Sequence, residues 1–239
     1  MILDFDIGNT RLKWRVSTSA GTVLSTGAVV HNQNLDVANL LPELRRVSRV
    51  RIVSVMGRVE SQIKELCATR WGVSPQVASV IDGCGGVVCG YESPSRLGVD
   101  RWLAVIAAWA RHRRACLVVS AGSALTVDIV NDVGHHQGGY IVPGLWMMAQ
   151  ALGSNTWGIE VDASVTPALA PGATTSEAVM HGCLMAVVGA IERIAAGERI
   201  NKVFITGGDA ALVARSLSIQ CDVEVVPGLV LDGLTVALP

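Results

Sequence analysis

Met1-Ile-Leu-Asp-Phe-Asp6-Ile-Gly8-Asn-Thr10-Arg-Leu-Lys13-Trp-Arg-Val16 is the stretch on which the fold turns. Residues 1–6 are an apolar run of strand type. Gly8-Asn9-Thr10 makes a tight turn, and residues 12–16 continue as a second strand, giving a hairpin with polar residues at its tip. Further along, Cys116-Leu-Val-Val-Ser120-Ala-Gly122-Ser123-Ala124-Leu-Thr-Val-Asp-Ile-Val130 repeats the pattern. Setting Asp6-Ile7-Gly8-Asn9-Thr10 above Ser120-Ala121-Gly122-Ser123-Ala124 aligns two strand-turn-strand units almost half a chain apart, the mark of an internal duplication. The expectation is an α/β protein of two similar lobes, residues 1–114 and 115–239, with the polar turns of both halves on one cleft.

The rest of the chain fills in each lobe. In the first, a strand is expected at residues 23–30, a helix at 37–47, a strand at 51–55 and a helix at 59–71. Residues 81–98 are rich in Gly and carry Pro94, so they read as a loop. Residues 101–114 read as a helix with Asp100 as its N-cap. In the second lobe, residues 138–144 form a strand leaving through a Pro-Gly turn. Two helices follow, the second opening at Thr174 or Thr175 with Glu177 placed for a capping box. Residues 202–206 are a strand ended by Gly207-Gly208-Asp209, then a helix to about residue 217.

Bulk properties narrow the function. With 50% hydrophobic and 16% charged residues, the 239-residue chain can bury a substantial core. A net charge of −1, with Lys and Arg scattered, supplies no positive field for nucleic acid or an anionic membrane. The N-terminus lacks the basic and apolar regions of a signal peptide. Apolar stretches are interrupted before the ~18 residues that a membrane helix needs, despite a mean hydropathy of +0.44. The six cysteines show no zinc-ligand spacing and read as reduced thiols of a cytoplasmic protein, the pair Cys84 and Cys89 being the one redox or metal candidate.

Phosphoryl transfer requires N–H donors for phosphate oxygens, a carboxylate for Mg²⁺ and a group that accepts a hydroxyl proton. Asp6 at a strand end, the Gly8 turn and nearby Lys13 meet the first two needs. Each also suits an ordinary hairpin. Asp100, after the Gly-rich loop, is the second carboxylate, where a helix cap is the plainer reading. Thr206-Gly207-Gly208-Asp209 is a third Gly-rich turn that lets a ring or phosphate approach the backbone.

Taken in order, Asp6-x-Gly8-Asn9-Thr10 with Lys13, Tyr91 before Gly98-x-Asp100-Arg101, Gly138-Gly139-x-Ile141-x-Pro143-Gly144, Thr175 and Thr206-Gly207-Gly208-Asp209 resemble the type III pantothenate kinases. These belong to the actin, Hsp70 and sugar kinase superfamily, and the likeness spans nearly the whole chain. It implies two ribonuclease H-like, actin-like ATPase lobes and a homodimer. It also implies ATP phosphates resting on Asp6, Ile7, Gly8, Asn9, Thr10, Arg11, Leu12 and Lys13, with Asp6 organising Mg²⁺. Asp100 would be the base that deprotonates the hydroxyl of pantothenate, and Tyr91, Gly98, Val99, Asp100, Arg101 and Thr175 would hold that substrate. The family usually begins its second lobe with Asp-x-Gly-Thr-Ala, whose Asp helps bind an activating monovalent cation (K⁺ or NH₄⁺) and whose Thr helps bind ATP. Here Ser120 replaces the Asp, and Ser123 keeps the hydroxyl. Two alternatives share the fold: a non-catalytic relative of Bvg accessory factor type acting through a partner, and a kinase of another small hydroxyl metabolite.

Overall fold

A computed structural model describes residues 1–30, 41, 43–198 and 200–239. These divide into two units, Met1–Ala110 with Gly228–Pro239, and Arg111–Pro227.

In the first unit, β1 (Ile2–Ile7), β2 (Arg11–Ser17), β3 (Val23–Val30), β4 (Arg49–Ser54) and β5 (Gln76–Val77) form one sheet in the order β3-β2-β1-β4-β5. β1 is antiparallel to β2 and parallel to β4. As the central strand it is covered on both faces, so alternation sorts its side chains by partner rather than by solvent. Leu3, Phe5 and Ile7 enter an apolar core with Val59, Ile63 and Cys67 of α1 (Gly57–Trp71). Asp4 and Asp6 therefore take the opposite face, and both are buried. Gly72 ends α1 in the left-handed region at φ 65°, its N–H bonding Ala68 O, as helix C-termini favour. Residues 81–98 are a loop, as their composition suggests, broken only by 3₁₀ turns at Cys84–Gly86 and Pro94–Arg96. α2 (Val99–His112) follows, with every residue from Arg101 to Trp109 buried.

The second unit repeats the plan. Its strands β6 (Cys116–Ala121), β7 (Ala124–Val130), β8 (His136–Pro143), β9 (Lys202–Thr206) and β10 (Asp222–Val225) take the order β10-β9-β6-β7-β8, which is the first sheet's order read from the other edge. β6 pairs antiparallel with β7 and parallel with β9, as β1 does with β2 and β4. This is the duplicated α/β arrangement expected from the repeat, and the ribonuclease H-like lobe that the resemblance implies. The core joins Leu117, Val119, Leu125 and Val127 to Val187 and Ile191 of a long helix and to Val213 of a shorter one. The helices are α3 (Leu145–Asn155), α4 (Thr175–Gly197) and α5 (Ala210–Ser216).

α6 (Leu229–Ala237) belongs to the first unit, which a contiguous split at 114/115 does not capture. Two features bind it there. Gly233 lies so close to Leu103 that an added Cβ would stand 2.2 Å from the Leu103 carbonyl oxygen. Asp232 pairs with Arg15 of β2 at 2.6 Å.

Other expectations need correction. Asp100 is not the N-cap of α2 but lies inside its first turn, because the helix already begins at Val99 and Trp102 N bonds Gly98 O. The helix expected at residues 37–47 falls partly outside the described residues, and residues 43–47 are not helical. The apolar α4 is 23 residues with a hydropathy of 1.5, long enough by composition to cross a membrane. Val179, Met180, Cys183, Leu184, Val187, Val188 and Ile191 of this helix are buried against the protein's own core, which accounts for their apolarity. β5 and β10 are short edge strands, and α6 has no strong polar boundary signal; none of the three was expected.

Candidate active site

In the first unit, the hairpin between β1 and β2 presents residues Asp6 to Lys13. Asp6 faces Lys13 across the antiparallel ladder, and Ile7 faces Leu12. Gly8 N–H donates to Arg11 O at 3.0 Å, closing a turn in which Asn9 and Thr10 are exposed. Ile7 and Leu12 are buried and anchor the turn from below, so that Gly8, Asn9, Thr10 and Arg11 are carried at a fixed strand end. A Cβ on Gly8 would come within 3.3 Å of Arg11 O. Glycine is what lets this turn close tightly.

Asp6 is 9% exposed. Burial pushes its carboxyl up to about 6; Lys13 pulls it back, and Asp100 pushes it further up. The last influence shows that Asp6 and Asp100, remote in sequence, share one electrostatic neighbourhood. Their two negative charges disfavour one another and together favour a cation between or beside them. Mg²⁺ takes one or two carboxylates, waters and substrate phosphate oxygens, and Asp6 fits that role. Among the described residues no group of three or more His, Cys, Asp or Glu could hold a metal by itself.

Asp100 is half-buried in the first turn of α2, and its carboxylate folds over Gly98. A Cβ on Gly98 would lie 2.8 Å from Asp100 Oδ1, so the glycine gives the carboxylate its place. Val99 separates the two. Arg101 is 6% exposed; its Nη1 donates to the Tyr91 hydroxyl at 2.9 Å, and its guanidinium stands 5.8 Å from the Tyr91 ring centroid. Thus Tyr91, Gly98, Val99, Asp100 and Arg101 form one cluster on the loop–α2 junction: a carboxylate, a buried cation and a phenol within a few residues. Such a cluster can accept a proton and orient a polar, partly anionic small molecule.

In the second unit, Ser120 of β6 stands where Asp6 stands in β1, pairing with Thr126 and Thr206. The following hairpin is tighter, Gly122 N–H bonding Ala124 O at 3.1 Å, with Ser123 exposed at the tip. Three turns converge here. Gly144 N–H donates to Ser123 O, and Asp209 N–H to Ala121 O. Gly207 has φ 108°, and a Cβ on it would fall 2.2 Å from Ala121 O, so no other residue fits. Thr174 caps α4, accepting from Glu177 N at 3.2 Å, while the Glu177 carboxylate accepts from Ala173 N at 2.7 Å. Thr175 is the exposed first residue of that helix. The anticipated cap is Thr174, and Thr175 is free of the capping role.

A buried cluster that the sequence did not suggest joins Asp4, Arg15 and Arg51 beneath the hairpin of β1 and β2. Asp4 is fully buried and holds Arg51 Nε at 2.7 Å and Arg15 Nη2 at 3.1 Å. The alternation of Asp4 with Asp6 in an apolar strand was the available signal.

Comparison with known proteins places the chain in a family. The model of the type III pantothenate kinase family matches residues 2–197. The chain is 38% identical to the type III pantothenate kinase of Ectopseudomonas mendocina (strain ymp), covering 100% of this chain and 99% of that protein. It is 40% identical to the type III pantothenate kinase of Azoarcus sp. (strain BH72), over 99% of this chain and 90% of the relative. Among solved structures, a Baf family protein from Campylobacter jejuni superposes with a TM-score of 0.61 at 19% identity, over 98% of this chain and 95% of that one. The activator of 2-hydroxyisocaproyl-CoA dehydratase from Clostridium difficile gives a TM-score of 0.55 at 13% identity, over 99% and 92%. At such identities these two structures speak for the fold alone. By the family match and the identity along its full length, the chain belongs to the type III pantothenate kinase family.

Proposed function

We propose that the protein transfers the γ-phosphoryl group of ATP to the primary hydroxyl of pantothenate, yielding 4'-phosphopantothenate and ADP, the first step of coenzyme A synthesis. The observation that carries the reading is the family match along the chain, supported by Asp6 buried opposite Lys13 at the end of β1 and by Asp100 folded over Gly98 at the start of α2. Asp100 takes the hydroxyl proton as the oxygen bonds to the γ-phosphorus. The bond from that phosphorus to the β,γ-bridging oxygen breaks, and ADP leaves with the electron pair. The Asn9 amide and the Lys13 ammonium hold phosphate oxygens, with Ile7, Gly8, Thr10, Arg11 and Leu12 setting the turn that carries them. Ser123 contributes a hydroxyl to ATP. Mg²⁺, held by Asp6, would neutralise the charge on the phosphates. Tyr91, Gly98, Val99, Arg101 and Thr175 hold pantothenate.

The monovalent cation is another matter. Ser120 brings a neutral hydroxyl, and the neighbouring Ala121 carbonyl already accepts from Asp209 N–H. This donor set fits K⁺ or NH₄⁺ poorly, so no step is assigned to such an ion. Coupled turnover in sodium and in potassium, beside Ser120→Asp, tests both points. The expected result is turnover with weak potassium stimulation, and stronger stimulation in the variant. A wild-type protein inert towards pantothenate, or one that phosphorylates another alcohol better, overturns the function.

A homodimer in the cytoplasm completes the proposal. The six cysteines are free thiols. Tyr140, Ile141 and Val142 on the edge strand β8, with Trp146 and Met147 on α3 and Met185 on α4, are exposed apolar side chains of the kind that a second copy covers. Sedimentation at micromolar protein should return twice the monomer mass; a monomer would refute the dimer.

A further inference from the structure

We propose that Asp4 is a positioning residue for the nucleotide site: with Arg15, Arg51 and the C-terminal helix it locks the register of β1 that holds Asp6 at the hairpin end. The inference rests on the reading of Asp6 as the nucleotide-site carboxylate.

The cluster is a set of charge-assisted bonds. Asp4 accepts from Arg15 Nε at 3.2 Å and Nη2 at 3.1 Å, and from Arg51 Nε at 2.7 Å and Nη2 at 3.1 Å. Each guanidinium then reaches the last helix and the tail after it. Arg15 Nη1 donates to Asp232 Oδ1 at 2.6 Å and its Nη2 to Leu231 O at 2.5 Å. Arg51 Nη1 donates to Leu238 O at 2.9 Å. Two cations meet two carboxylates, so the cluster is neutral and its donors point in fixed planar directions.

Stability alone does not account for such a cluster. Buried ion pairs are often replaced by apolar side chains without loss. What the charges add is geometry. The side chains of β1 that meet α1 are Leu3, Phe5 and Ile7, and such apolar residues tolerate a slipped ladder. A slip of one residue would turn Asp6 onto the face of Phe5, against α1. Asp4 lies opposite Arg15 in one ladder and Arg51 in the other, one same-face step before Asp6 faces Lys13 and Val53. Only the native register satisfies all of these bonds together.

Calorimetric binding of the magnesium complex of a non-hydrolysable ATP analogue tests the proposal, with thermal unfolding measured alongside. Asp4→Asn should weaken binding by ~10- to 100-fold, the usual range for groups that orient a metal ligand. Asp232→Asn, on the solvent side of the cluster, should weaken it less and carries the test should Asp4→Asn not fold. Ile63→Val, in the core on the other sheet face, should lower the unfolding temperature and leave affinity unchanged. Wild-type affinity in the folded Asp4 and Asp232 variants, beside lost affinity in Asp6→Asn, overturns the proposal alone. Wild-type affinity in Asp6→Asn overturns the nucleotide-site reading and the proposal with it. A loss in Ile63→Val equal to that in Asp4→Asn reduces the cluster to general stability and likewise refutes it.

Discussion

Asp100→Asn lowers kcat for pantothenate phosphorylation by ~10²- to 10⁴-fold, the span that a positioned general base contributes, and leaves the unfolding temperature close to wild type. Asparagine has the shape of aspartate, so the fold over Gly98 and the first turn of α2 survive. What is lost is the group that accepts the proton. Steady-state kinetics with both substrates varied should show the loss in kcat, with the KM for ATP nearly unchanged. A fall of less than tenfold would mean that another group takes the proton and that Asp100 serves only to orient. The contrast with Arg101 sharpens the point: its bonds to Tyr91 are ground-state contacts, so its loss should appear mainly in the KM for the acceptor.

Asp6→Asn is expected to do two opposite things. The carboxyl of Asp6 is raised from an ordinary 3.8 to about 6 by burial. Below 3.8 it is protonated in both folded and unfolded chains and adds no pH dependence. Between 3.8 and about 6 the folded chain holds the proton more tightly, so stability falls as pH rises. Above 6 the full penalty for a buried carboxylate stands, on the order of 3 kcal/mol. The ligand-free Asn variant should therefore be the more stable protein at pH 7.5 by ~1–3 kcal/mol in urea unfolding, and the advantage should vanish towards pH 4. The same variant should lose the rise in unfolding temperature that Mg·ATP gives the wild type. A variant no more stable than wild type at pH 7.5 would show that Asp6 is not strained by desolvation. The opposition follows from function, since a carboxylate kept dry and close to a second one is a liability until a cation arrives.

The elements that could be read from the sequence are those whose signals are local. The two hairpins were legible because each is a run of strand residues closed by its own turn, Gly8-Asn9-Thr10 and Gly122-Ser123. The cap of α4 was legible to within one residue because Thr174 and Glu177 are three apart and satisfy one another's neighbourhood. The start of α2 was misjudged because aspartate suits an N-cap and the first turn equally. The backbone decides between them, since Trp102 N already bonds Gly98 O. β5 was missed since two residues paired to β4 carry no periodicity, and their strand character comes from the neighbour.

The order of Asp6, Gly8, Lys13, Asp100 and Gly207 along the chain and the duplication were determined by the sequence alone. They are properties of residue type and spacing. The return of α6 to the first unit and the seating of Asp4 between Arg15 and Arg51 were decided by tertiary structure. These contacts join residues up to 217 positions apart, as in Arg15 and Asp232. No local preference encodes them; they arise when burial of apolar faces brings strand ends and helix together, and charges then take the partners that burial leaves within reach.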